Sequence, residues 1–395
     1  MCIEIKEINY YLLSFGSIVS KKKGKIMRII LSGGGTGGHV YPAIAIANKI
    51  KESNPEAEIL FVGTKNGIES EIVPKYGYPM EYIEVKGFKR KIDFDNVKRL
   101  WMFIKSLRDS KKIIKKFKPD LVIGTGGYVS GSIVLKASQM KIKTCIHEQN
   151  SFPGITNKML SKNVDLVMTS FEDSHKRFPD KAKNKLKLTG NPVRTEILNA
   201  DRNECRKELQ IPDGKKMVLV SGGSGGSEEI NDSLATALPK LIKEDVAFTI
   251  ATGKSYYDDF MKKYSGLELK PYQRIVKYLD KMPENLASAD LCIGSAGAIS
   301  MAEMTAVGIA AIIVPKAYTA ENHQEYNAKS LEKIGGGVCI TEKELSPESM
   351  DRAIFDLLND DEKLKNMSIA SKKFGKRDAI DIIYKLINDN FLSKY

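Results

Sequence analysis

One local pattern occurs twice in this chain, and it narrows the fold more than any other feature. "MRIILSGGGTGGH" at 27–39 and "MVLVSGGSGG" at 217–226 each read as a short apolar strand, a glycine-rich turn and a helix start. After each, β-rich apolar runs alternate with helix-length amphipathic segments. In the first half, strands are expected near 28–32, 58–63, 80–85, 121–125, 143–147, 165–169 and 185–189. In the second half, strands are expected at the 217 restart and near 247–252, 274–278, 290–294, 310–314 and 337–341. Such alternation builds parallel sheets through right-handed βαβ crossovers. The expected class is α/β, with two Rossmann-like domains in tandem, and 395 residues suit two domains. "TGNPVRTEI" at 189–197 carries an Asn-Pro pair that should break regular structure and form a hinge. The expected division is an extension at 1–26, a first domain at 27–190 and a second at 191–375. A last helix, about 376–395, is expected to return to the first domain.

The glycine turns admit several ligands. "GGGTGG" satisfies GxGxxG at Gly33, Gly35 and Gly38, but a dinucleotide would also need an acidic residue ending the second strand. That strand, "EILFVGTKNG", ends in Gly63 and Thr64, which argues against NAD. "ATGKS" at 251–255 would need its first glycine at Phe248, so it is not a Walker A loop. "GTGGYVSG" at 124–131 and "GSAGAIS" at 294–300 echo the other two turns. Four such loops at strand C-termini point N–H groups and helix N-termini at an anionic or polyhydroxylated ligand. Tight strand-to-helix packing is the plainer alternative. His39 is either a helix-start residue bonding the backbone or a general base. Glu303 is a helix-dipole partner or a bidentate acceptor for ribose hydroxyls. His323 and Gln324 stand at the next helix start.

Composition excludes some chemistry. The five cysteines have no CxxC spacing, and "HEQNS" lacks the second histidine of HExxH, so zinc is not expected. Reduced thiols in a cytoplasmic protein are expected instead. No apolar run reaches the length of a membrane span. "YYLLSFGSIV" followed by "SKKKGK" has its charge on the wrong side for a signal peptide. The net charge of +13 is concentrated at 86–118, which holds 13 Lys/Arg against 3 Asp/Glu. Nucleic acid, an anionic membrane or an acidic substrate could answer that charge. Within it, Val97, Leu100, Trp101, Ile104 and Leu107 recur at helical spacing. A crossover helix would bury that stripe on the sheet, whereas a membrane-surface helix would expose it. The sole tryptophan beside a basic cluster favours a share of both.

From Met27 onward the chain resembles the MurG family, the bacterial peptidoglycan N-acetylglucosaminyltransferases. The resemblance rests on "GGGTGGHVYPA", "GTGGYVSG", "HEQN", "GNPVR", "GGSGGSEEIN", "SAGAISMAEMTAVGIAAIIVP" and "NHQEYNA", in that order. It implies a GT-B fold of two Rossmann-like domains facing a cleft. It implies inverting transfer of GlcNAc from UDP-GlcNAc to the MurNAc C4 hydroxyl of lipid I, undecaprenyl-pyrophosphoryl-MurNAc-pentapeptide. The product would be lipid II for peptidoglycan, tying the chain to cell-wall biogenesis, cell shape and division. Carried onto this sequence, His39 is the catalytic base. Thr36, Gly37, Gly38, Asn150, Arg194, Ser224, Leu279, Ala298, Glu303 and Gln324 hold the donor, and Tyr128 and Glu148 meet the acceptor. Glu303 would take the ribose hydroxyls, Ser224 the phosphate and Gln324 the sugar. The family's usual GGSQGA has Gly225 and Ser227 in place of glutamine and alanine here. No metal and no cofactor are implied. The implied partners are the two substrates, an anionic membrane surface at the cytoplasmic face and other cell-wall enzymes, not nucleic acid. A UDP-GlcNAc 2-epimerase, another lipid glycosyltransferase and a non-enzymatic sugar-nucleotide-binding protein are the alternatives.

Overall fold

The computed structural model describes residues 26–87, 95–223, 225–319 and 322–393, so the expected extension at 1–26 lies outside the described residues but for Ile26. The first sheet has seven strands. They are β1 (Arg28–Gly33), β2 (Glu58–Gly63), β3 (Met80–Tyr82), β4 (Leu121–Gly126), β5 (Lys143–Glu148), β6 (Leu166–Thr169) and β7 (Leu186–Leu188). Their spatial order is β3-β2-β1-β4-β5-β6-β7, and every pairing is parallel. The second sheet has six, β8 (Met217–Ser221), β9 (Ala247–Ala251), β10 (Gln273–Val276), β11 (Leu291–Gly294), β12 (Ala310–Ile313) and β13 (Gly337–Cys339). It runs β10-β9-β8-β11-β12-β13, again all parallel. In both sheets the order reverses beside the first strand of the half, which opens a crevice at the strand C-termini.

The central strands are apolar almost throughout because helices cover both faces. In β1, Ile29 and Leu31 enter one core with Ile59, Phe61 and Ile123, while Ile30 enters the other with Leu60, Val62 and Val122. The edge strands β3 and β13 stop short of their expected spans. An edge strand has one partner, so β3 ends where β2 does, at the Gly63–Tyr82 pair. Ile83 and Val85 stay buried beyond the ladder.

The basic helix shares its apolar residues between sheet and surface, but not along the expected line. It runs Asp95–Phe117, and it buries Met102, Ser106, Ser110, Ile113 and Ile114. Leu100, Trp101 and Ile104, expected in part to pack on the sheet, are exposed, Trp101 by 65 %. The cause is close contact with the next helix, Gly127–Gln139. Small hydroxyls fit between the two, and Ser106 Oγ meets Ser132 Oγ at 2.7 Å. Periodicity marks an apolar stripe but cannot see that serines fill the tighter contact.

The chain crosses between the halves twice. The linker at 189–194 is one crossing, and the segment before the helix Ala379–Ile387 is the other. That last helix buries Ile383 and Ile387 in the first half's core, and Asn54 Nδ2 donates to Tyr384 Oη at 2.9 Å. Burying two isoleucines contributes about 1.5–3 kcal/mol each. The crossings touch at Gly190. Its φ of +85° suits glycine, and a Cβ there would stand 2.5 Å from Lys376 Cβ.

Candidate active site

The first turn leads from β1 into α1 (Gly37–Ser53). Thr36 is the N-cap, yet its side chain makes no capping bond, so the Gly37 and Gly38 N–H groups are left for another acceptor. The Thr36 carbonyl accepts from His39 N at 3.1 Å and Val40 N at 3.2 Å. Pro42 cannot donate back to the Gly38 carbonyl, which loosens the same turn. The turn is pinned from below by Glu69, a buried residue the sequence did not single out. Its carboxylate accepts from Gly35 N at 3.1 Å, and from Thr64 N and Oγ1 at 2.9 and 2.8 Å. The β4 turn leans against this one. Gly127, at φ +81°, is so close that a Cβ would lie 2.2 Å from the Gly34 carbonyl oxygen. Tyr128 is partly exposed, its ring set against Gly35 and Gly87.

His39, in the first turn of α1, is half-buried beside Gly126, with Nδ1 at 3.0 Å from Gln149 Oε1. Gln149 belongs to the loop after β5. Glu148 organises that loop. The side chain is buried, and its two oxygens accept from Asn150 N, Asn150 Nδ2, Gly154 N and Asn157 Nδ2 at 2.9–3.2 Å. No lone pair of it is offered to a ligand in this arrangement, since four donors match the four acceptor positions of a carboxylate.

In the second half, α2 (Ala298–Val307) follows β11 and α3 (His323–Glu332) follows β12. Glu303 lies in the second turn of α2, not at its start, so the dipole role does not apply. Its carboxylate is buried and grips Arg194 in a fork, Oε1 to Nε at 2.7 Å and Oε2 to Nη2 at 3.2 Å. Burial pushes the Glu303 pKa up, and Arg194 pulls it back. Gln324 Oε1 accepts from Lys316 N at 3.0 Å, and Lys316 Nζ reaches the Gly226 carbonyl at 2.8 Å. Ser224 lies outside the described residues. Ser227 caps the short helix Glu228–Ser233 by accepting from Ile230 N. Leu279 is buried, while Tyr278 beside it is exposed. A depression of about 570 Å³ there is lined by Lys254, Tyr257, Lys277, Tyr278 and Asp280. No group of three or more His, Cys, Asp or Glu that could hold a metal occurs among the described residues.

The halves meet across these loops. Asn150 Oδ1 accepts from Asn327 Nδ2 at 3.2 Å, and Ser151 N donates to Asn327 Oδ1 at 2.8 Å. Asn191, in the linker, donates to the Gln149 carbonyl at 3.0 Å and the Ala298 carbonyl at 3.4 Å. It thus ties the loop beside His39 to the start of α2. Tyr41, two residues beyond His39, feels both Tyr278 and Arg194 of the second half. So the loop of Gln149 and Asn150, beside His39, is bonded to Asn191, Asn327 and the start of α2. Gln149, Asn191 and Asn327 were missed by sequence reasoning. Their only signal was their place within motifs, next to the residues that were chosen.

Residues 29–169 match the glycosyltransferase family 28 N-terminal domain and residues 217–383 match its C-terminal domain. A relative from Clostridioides difficile is 63 % identical over 91 % of this chain and 88 % of its own length. That protein is named UDP-N-acetylglucosamine–N-acetylmuramyl-(pentapeptide) pyrophosphoryl-undecaprenol N-acetylglucosamine transferase. The crystal structure of Acinetobacter baumannii MurG superposes with a TM-score of 0.73 at 26 % identity, covering 92 % of this chain and 99 % of that one. A UDP-GlcNAc 2-epimerase from Neisseria meningitidis shares the fold, with a TM-score of 0.63 at 14 % identity over 92 % of this chain and 100 % of its own. With both domain models matched and two Rossmann-like halves facing one cleft, the chain belongs to glycosyltransferase family 28 and has its GT-B fold.

Proposed function

We infer that this chain transfers N-acetylglucosamine from UDP-GlcNAc to the MurNAc C4 hydroxyl of lipid I, giving lipid II. The observation that carries the reading is the 63 % identity, over nearly the whole chain, to a transferase named for that reaction. In the reaction the C4 oxygen attacks the anomeric carbon from the face opposite the diphosphate. One C–O bond forms as the other breaks, UDP leaves, and the configuration inverts. His39 accepts the hydroxyl proton as general base. The uncapped N–H groups of Gly37 and Gly38, with Thr36 beside them, face the charge that builds on the diphosphate. Glu303 receives the ribose hydroxyls, which requires Arg194 to release its fork and turn toward phosphate. Ser224, Asn150, Ala298, Leu279 and Gln324 complete the donor side. Tyr128 and Glu148 stand on the acceptor side, Glu148 also shaping the loop after β5.

In this reading the half from 27 to 190 takes the acceptor, the half from 191 to 375 takes the donor, and the last helix belongs with the first. The acceptor is lipid-anchored, and no helix among the described residues is long and apolar enough to cross a membrane. Exposed Leu100, Trp101 and Ile104, set among Lys98, Arg108, Lys111 and Lys112, form the face that rests on the anionic cytoplasmic leaflet. Other cell-wall enzymes would meet it there. The direct test is transfer of labelled GlcNAc from UDP-GlcNAc to a lipid I analogue. Absence of a disaccharide product would sink the reading.

A further inference from the structure

His39 ends a hydrogen-bonded row that begins at the interdomain linker. Gly190 O lies 2.9 Å from His147 Nε2. His147 Nδ1 lies 3.0 Å from Gln149 Nε2, which also lies 3.0 Å from the His147 carbonyl oxygen. Gln149 Oε1 then lies 3.0 Å from His39 Nδ1. Both His147 and Gln149 are buried.

Two backbone carbonyls assign every proton in this row, because a carbonyl oxygen only accepts. Gly190 O therefore accepts a hydrogen bond from His147 Nε2–H. Burial disfavours the charged imidazole and lowers the His147 pKa, so its Nδ1 is bare and must accept. Its donor is the Gln149 amide nitrogen, which also donates to the His147 carbonyl, as Asn157 Nδ2 does at 3.3 Å. Turning that amide over would press its oxygen against a carbonyl oxygen and a bare ring nitrogen. Gln149 Oε1 thus faces His39 as an acceptor, and the proton of a neutral His39 sits on Nδ1. The other ring nitrogen, Nε2, keeps its lone pair.

We propose that Gln149, oriented by His147 and the Gly190 carbonyl, is a positioning residue that holds His39 in the Nδ1–H tautomer and makes Nε2 the basic atom. This deepens, and rests on, the reading of His39 as the base. A free imidazole in water favours the other tautomer, whose lone pair would point at Gln149. A carboxylate does this work for the histidine of serine-hydrolase triads. Here an amide does it without adding a charge, and the row ties the tautomer to the linker between the halves.

The chain has four histidines, so long-range proton–nitrogen spectra of protein labelled with ¹⁵N-histidine can resolve each ring. Above neutral pH the natural chain is expected to show His39 as Nδ1–H and His147 as Nε2–H. An Nε2–H His39 overturns the proposal without recourse to any variant. Gln149→Met keeps the volume and removes the acceptor. It should move His39 largely to Nε2–H and lower kcat about tenfold, with both KM values unchanged. Parent-like kcat in a folded Gln149→Met overturns the positioning role. If that variant does not fold, the spectrum of the natural chain still decides. Parent-like kcat in His39→Ala instead removes the base reading itself, so the two failures are told apart.

Discussion

Glu303 and Arg194 close on each other in this structure, and the pairing predicts how each variant fails. Hydrogen bonds to a charged group contribute about 1.5–3 kcal/mol, so Glu303→Ala should raise the donor KM roughly 10- to 100-fold and move the acceptor KM less. An unchanged donor KM would take Glu303 out of the site. Arg194→Ala leaves the carboxylate buried without its partner. Burial already raises its pKa, with Glu196 adding to the rise and Arg194 opposing it. The variant's Glu303 therefore binds a proton more readily, and its donor KM should climb as pH is lowered below neutrality, more steeply than in the parent. Steady-state kinetics across pH measure this. His39→Ala should lower kcat by about 10²–10⁴ while melting near the parent temperature, because the side chain is half-buried on a helix start. The sequence made His39, Glu303 and Asn150 visible because each stands at the end of a glycine-rich or polar motif. It did not reveal Glu69 or Gln149. Their roles come from which backbone N–H or ring nitrogen lies opposite them, and that depends on long-range approach between loops.

At the scale of elements, strands are the best-read part and helix faces the least. The apolar runs that became β1, β2, β4 and β5 need burial on both sides, and the sequence states this directly by lacking alternation. The basic helix Asp95–Phe117 has two faces with apolar content, and only contact with Gly127–Gln139 decides which is packed. The exposed face yields a prediction. Trp101→Gln with Ile104→Gln should weaken co-sedimentation with anionic vesicles and leave transfer to a short, soluble acceptor intact. Each Lys or Arg near such a leaflet contributes about 1 kcal/mol. Replacing Lys89, Arg90 and Lys91 with Glu should therefore abolish vesicle binding, though these three lie outside the described residues. If both variants bind vesicles as the parent does, another surface carries the attachment.

The whole molecule is two open sheets closed by a shared tail. Ile383 is fully buried in the first half although it follows the second in sequence, so Ile383→Ala should cost about 2–5 kcal/mol and lower the melting temperature of the whole chain. A melt in which the second half alone moved would refute that placement. The thiols report the same cooperativity. Burial pushes Cys292 up to about 12 and Cys145 higher still, and both lie inside the sheets. Neither should be alkylated near neutral pH until the chain unfolds, since the thiolate is the reacting form. Labelling followed by mass spectrometry checks this.

The contact between the linker and the returning segment has a mechanical result. A single tether between two bodies permits swing, twist and drift. Two crossings that meet where the Lys376 side chain packs over Gly190 permit swing about the line through both and resist the rest. The cleft should thus open like a book on a double-stitched spine, returning to the same alignment after each turnover. Residues 1–190 and 191–395 co-expressed as two separate chains should still associate through the tail, eluting as one body until denaturant is added.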